Sequence, residues 1–169
     1  MIINSMRRRN YKSGYSMVDI VVYIGLLGVM IALIANSALS IYRLFGLARV
    51  ERRLALEGGA ALERMVRDIR AASATNVAES AFGINTGTLN IDNLKFFVSE
   101  DTLHRDNAGI IQNLTSGARV TNFVLYRDSV FATGTQSELI TIQLTLEAGN
   151  GVLRRTKNFF ASAVMRGGY

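Results

Sequence analysis

The chain has no cysteine and no proline, and its only histidine is His104. Without cysteine there is no disulfide framework, no thiolate zinc site and no cysteine nucleophile. Without proline, no ring clash breaks a long helix. His104 has no HExxH context, and a serine–histidine pair would have to use it with no supporting pattern. GxSxG, a P-loop and a GxGxxG followed by an acid are all missing. Asp92, Glu100, Asp101 and Asp106 are close in sequence but lack the spacing and invariant glycine of a calcium loop. They read as a solvated acidic hairpin, with His104 a surface residue beside them. No catalytic constellation emerges, so neither an enzyme nor a cofactor is expected. There is no internal repeat and no low-complexity linker.

Acidic charge is missing from the beginning of the chain. Residues 1–14 hold four of the 19 basic groups and none of the 13 acids. The remainder has fifteen basic groups against thirteen acids, a net charge of only +2. The high pI is therefore largely a property of the first 14 residues, and it argues weakly for nucleic acid. A basic start followed by an apolar run fits the positive-inside rule, with the amino terminus cytoplasmic and the rest exported.

Charge of either sign is missing from Ile20 to Tyr42. A helix over that run rises about 1.5 Å per residue, or roughly 35 Å, enough to cross a hydrocarbon core of about 30 Å. Ahead of it stand Arg7, Arg8, Arg9 and Lys12, then Gly14, then Tyr15 to Val18 and one acid, Asp19. A carboxylate at the head of a membrane helix is costly and calls for a partner. If the chain is cut after Gly14, the new amine at Tyr15 lies one helical turn before Asp19. In a helical array, the amine of one chain can meet the carboxylate of another.

The stretch KSG followed by YSMVDIVVYIGLLGVMIALIA resembles the class III prepilin leader of type IV pilins and type II secretion pseudopilins. The resemblance covers about a quarter of the chain. It implies a dedicated prepilin peptidase that cuts after Gly14 and methylates Tyr15, with Asp19 as the fifth-position acid used in subunit assembly. Tyr15 stands where the family classically has phenylalanine, Asp19 where it has glutamate, and Asn36 where many major pilins have a kinking proline. The implied partners are the peptidase, other pilin or pseudopilin subunits, an inner-membrane assembly platform and membrane lipid. Two plainer readings stay open: a secretory signal cut near Ala35-Asn36-Ser37, and a simple signal anchor. Gly25 and Gly28 would let helices approach closely in a filament, or are glycines of the kind membrane helices tolerate.

From Arg43 to Ala72 the helix is expected to continue. Leu47, Val50, Leu54, Ala61, Met65 or Val66, Ile69 and Ala72 recur at three-to-four spacing, an apolar stripe that must bury against something. Gly58-Gly59 interrupts it and predicts a bend or soft spot. Ser73 to Asn85 reads as helix end and loop. Candidate strands follow: Leu89 to Ile91, Leu94 to Val98, Thr102 to Arg105, Val120 to Arg127 and Leu139 to Leu146. The last alternates cleanly, with Ile140, Ile142, Leu144 and Leu146 on one face. Turns are expected at Ser99-Glu100-Asp101, Asn113 to Gly117, Thr133 to Gln136 and Ala148 to Gly151. The last returns the chain into Val152 to Lys157. The expected fold is α+β and pilin-like: a long amino-terminal helix packed on an antiparallel sheet of about four or five strands. The expected organisation is a leader over 1–14, a membrane and assembly helix over 15–42, its amphipathic continuation over 43–72 and a β-rich domain over 73–169. ALERMVRDIRAA followed by a β-region resembles minor pilins and the J-type minor pseudopilin.

The rival functional signal is basic. Residues 43–70 hold seven basic and four acidic groups. Arg52, Arg53, Arg64 and Arg67 form an anion- or DNA-contact candidate, or a solvated face. Aromatics are not interleaved with them, as a single-strand platform needs. Two function classes therefore stand: a minor pilin or pseudopilin subunit, and a single-pass anchored module that binds DNA or a surface ligand.

Overall fold

A computed structural model describes residues 16–132 and 135–166. The chain divides into two compact units, Met1–Tyr42 and Arg43–Tyr169. Helix α1 runs over Met17–Ala71, and seven strands follow: β1 (Leu89–Ile91), β2 (Leu94–Ser99), β3 (Thr102–Asn107), β4 (Ile110–Asn113), β5 (Arg119–Ala132), β6 (Thr135–Ala148) and β7 (Arg155–Arg166). The fold is α+β, as its order of helix then strands implies.

In the first unit every residue from Ser16 to Tyr42 is exposed. Two hydroxyls in this apolar helix are satisfied locally. Ser37 Oγ donates to the Leu33 carbonyl at 2.9 Å, and Ser40 Oγ donates to the Asn36 carbonyl at 2.9 Å. That internal bonding lets a helix carry serine where no water is at hand.

The second unit holds the core. Its strands form two antiparallel sheets rather than the single sheet expected: β1-β2-β3-β4 and β5-β6-β7. Leu54, Ala61, Met65 and Ile69 of α1 join Leu89, Ile91, Phe96 and Leu103 of the first sheet and Phe123, Leu125, Ile140, Ile142 and Leu144 of the second in one buried cluster. Met65 is fully buried and Val66 only partly so, which settles the register of the helical stripe. Each large apolar side chain buried here is worth about 1.5–3 kcal/mol.

Polar groups join the layers. Arg105 on β3 stands opposite Phe96 on β2, with its side chain only 7% exposed, and donates through Nε to Asp68 Oδ2 of α1 at 2.7 Å. Glu57 Oε2 accepts the backbone N–H groups of Ser116, Gly117 and Ala118 at 3.2, 3.0 and 2.9 Å, tying α1 to the β4–β5 connection. The β2–β3 hairpin turns through Glu100 and Asp101, both left-handed at φ 48° and 59°. Such a turn favours Asn and Gly. It is held across the sheets: Arg119 pairs with Asp101 at 2.9 Å, and Val120 N–H donates to the Asp101 carbonyl at 2.7 Å.

The helix does not break at Gly58-Gly59; α1 is continuous through both. Gly58 is there for close approach. A Cβ on it would collide with the ring of Phe159 on β7, whereas one on Gly59 would meet nothing within 4 Å. The two glycines should therefore respond oppositely to alanine. Gly59→Ala gains up to about 1 kcal/mol of helix propensity and should raise Tm. Gly58→Ala gains the same but overpacks a rigid ring at about 1–3 kcal/mol, so its Tm should fall. Thermal unfolding of the full chain in detergent checks the pair.

Candidate functional site

The first turn of α1 is built as a cap. Ser16 precedes the helix, and its Oγ accepts the Val18 N–H at 3.3 Å. In return, Asp19 Oδ2 accepts the Ser16 N–H at 3.2 Å. This reciprocal arrangement is a capping box with aspartate in the glutamate position. A carboxylate in the first helical turn also faces the positive end of the helix dipole. Asp19 therefore has a local partner at the head of the uncharged run of α1. Gly14 and Tyr15 lie outside the described residues.

Beyond the cap, Gly25 and Gly28 have nothing within 4 Å of where a Cβ would stand. They leave two shallow places on an apolar surface. Among the described residues, α1 is the one helix long and apolar enough to cross a membrane.

The four arginines of the basic candidate do not gather into a free patch. Arg53 lies 4.0 Å from Glu57, Arg64 lies 3.3 Å from Asp68, and Arg67 lies 2.8 Å from Glu63, each one helical turn apart. Arg64 also shares Asp68 with Arg105. These pairs describe a solvated, internally balanced face that is engaged mainly with its own helix. Arg52 is exposed on the same helix.

The acidic loop residues are likewise separate. Asp92 Oδ2 accepts the Ser73 N–H at 2.9 Å just past the helix end, Asp101 pairs with Arg119, and Asp106 Oδ1 accepts the Gly109 N–H at 2.8 Å. Among the described residues no group of three or more His, Asp or Glu side chains is placed to hold a metal ion. His104 is half-buried rather than free on the surface. Its ring stacks on Phe97 at 5.3 Å between centroids, and Nε2 lies 3.2 Å from the Ser99 carbonyl.

Sequence reasoning missed the ionic pair inside the second sheet. Arg127 Nη2 donates to Glu138 Oε1 at 2.5 Å, with the two side chains 25% and 16% exposed. The pair joins β5 to β6 near the sheet end where Thr75 approaches. An arginine and a glutamate at the inward positions of two alternating strands are the signal that marks it. The hydrogen bond from Arg127 is the chief cause holding the Glu138 carboxyl below its ordinary value; burial opposes it, and the Thr75 hydroxyl and the charge of Arg127 assist. The same hydrogen bond raises Arg127.

No protein-family model, no curated protein and no solved structure matches this chain.

Because the folded-state value of Glu138 is depressed, its stabilisation is complete above the unfolded value and is lost as pH falls through the lower folded value. Glu138→Gln should therefore lower Tm at neutral pH and flatten the decline in Tm on acidification. Melting curves of both proteins from neutral pH into the acid range check this. Parallel curves would mean that the pair contributes nothing to the acid sensitivity.

Proposed function

We propose that this protein is a minor pilin or pseudopilin subunit, processed by a prepilin peptidase and assembled into a filament through its amino-terminal helix. One observation carries the reading. The apolar run of α1 is exposed throughout, and a single acid, Asp19, stands at its head. An apolar helix surface of this extent needs a covering, and the described residues do not supply one. Membrane lipid covers it before assembly, and the helices of neighbouring subunits cover it afterwards. The basic leader and Gly14 set the orientation and the cut.

In this proposal Asp19 serves twice. It caps its own helix in the monomer, then takes the methylated Tyr15 amine of a neighbour in the filament. Desolvation offsets much of the attraction between two such charges, so the pair acts chiefly to set register. The balanced arginine face, with three of its four members paired to acids on α1, favours this structural role over an anchored DNA-binding module.

The Asp19→Ala protein should reach the membrane in normal amounts but be depleted from purified filaments, and Asp19→Glu should restore incorporation. Equal incorporation of Asp19→Ala and the unaltered chain would remove the assembly role of this acid.

A further inference from the structure

The connection between β6 and β7 is built against the first turns of α1 in the second unit. Leu153 sits on Gly46, with Cδ1 3.2 Å from where a Cβ on that glycine would stand. Arg155, the first residue of β7, lies 4.0 Å from Glu51 of the helix. The neighbouring tip residue Val152 is 84% exposed, and Arg43, three residues before Gly46, is the first charge after the apolar run. Arg43 and Arg49 on the helix are exposed; Arg154 beside the tip lies 3.5 Å from Glu147 yet keeps 60% of its side chain exposed. Leu44 and Phe45 are also exposed, at 64% and 70%. The same connection borders a polar cavity of about 240 Å³ lined in part by Gly149, Asn150, Arg119 and Arg154.

We infer that this connection is a second membrane contact: Val152 enters the headgroup boundary, and Arg43, Arg49, Arg154 and Arg155 bind the phosphates of anionic phospholipids. The inference rests on the membrane-spanning half of the proposed function. Three observations favour lipid as the occupant. The contact surface includes Arg43, the residue that follows the apolar run, and Leu153 packs on Gly46 one helical turn further on. An apolar tip flanked by arginines has the composition of an interfacial anchor. The exposed apolar surface also runs on to Phe45, and from Ile20 a helix of that length is about 39 Å, longer than a hydrocarbon core of about 30 Å. The excess places Leu44 and Phe45, immediately before the Gly46–Leu153 contact, at the interface or tilts the helix.

The absence of native cysteine allows single-site labelling of the full chain. Val152→Cys, Ile110→Cys and Ile31→Cys proteins carry a fluorophore in vesicles of phosphatidylcholine with or without phosphatidylglycerol, and spin-labelled lipids quench at shallow or deep positions. Ile31→Cys should be quenched by the deep label. Val152→Cys should be quenched by the shallow label well above Ile110→Cys, and more so with phosphatidylglycerol. Adding Arg154→Glu and Arg155→Glu should lower the docked-to-free ratio by roughly fivefold per arginine. Deep quenching at Ile31→Cys with Val152→Cys no brighter or dimmer than Ile110→Cys would overturn the second contact alone. Lack of deep quenching at Ile31→Cys would overturn the membrane span and this contact together.

Discussion

One face of one helix holds the second unit together. Leu54, Ala61, Met65 and Ile69 contribute to a core that both sheets close upon. The two sheets also meet at the hairpin of Glu100 and Asp101, where Asp101 holds Arg119 and Val120. Without the helix, the inward faces of β2, β3, β5 and β6 would have no common cover. The helix therefore has to reach the sheets with close contact and with its polar groups satisfied. Gly58 provides the contact, and Asp68 and Glu57 reach from the same helix to Arg105 and to the N–H groups of residues 116–118.

The same helix has a different task before Tyr42. There its surface is apolar and, among the described residues, exposed throughout. A helix that is amphipathic in one part and uniformly apolar in another has two environments, and the change falls where Arg43 ends the uncharged run. The capping box of Ser16 and Asp19 begins that helix with a single charge satisfied locally. A carboxylate so placed can be carried by a membrane helix and still be offered to a cationic partner.

Much of this architecture was legible in the sequence. The uncharged run and the three-to-four stripe foretell the long helix, and the alternation from Ile140 to Leu146 foretells β6, where Ile140, Ile142, Leu144 and Leu146 are all buried. Other features depend on partners distant in sequence. Strand β4 is exposed along its whole length, so Ile110 and Ile111 show no alternation. In β7 the inward Phe159, Ala161, Ala163 and Met165 interleave with exposed Phe160 and Val164, which hides the period of two and conceals a strand that runs to Arg166. Thr135 and Gln136, expected in a loop, belong to β6. The division into two sheets and the role of Gly58 follow from which strand faces which helix turn, and neither is local. Composition counts the basic charges of the helix, but only the geometry shows that Arg53, Arg64 and Arg67 each face an acid one turn away.

The central claim is that the uncharged helix is delivered by a cleavable prepilin leader and then built into a filament. The most direct measurement is the intact mass and amino-terminal sequence of the membrane-extracted protein, made in cells with and without a prepilin peptidase. The account predicts a chain that begins at Tyr15 and carries one added methyl group only where the peptidase is present. A chain that keeps residues 1–14 in both cells, or begins near Ala38, would contradict it and leave a simple anchor or an ordinary secreted domain.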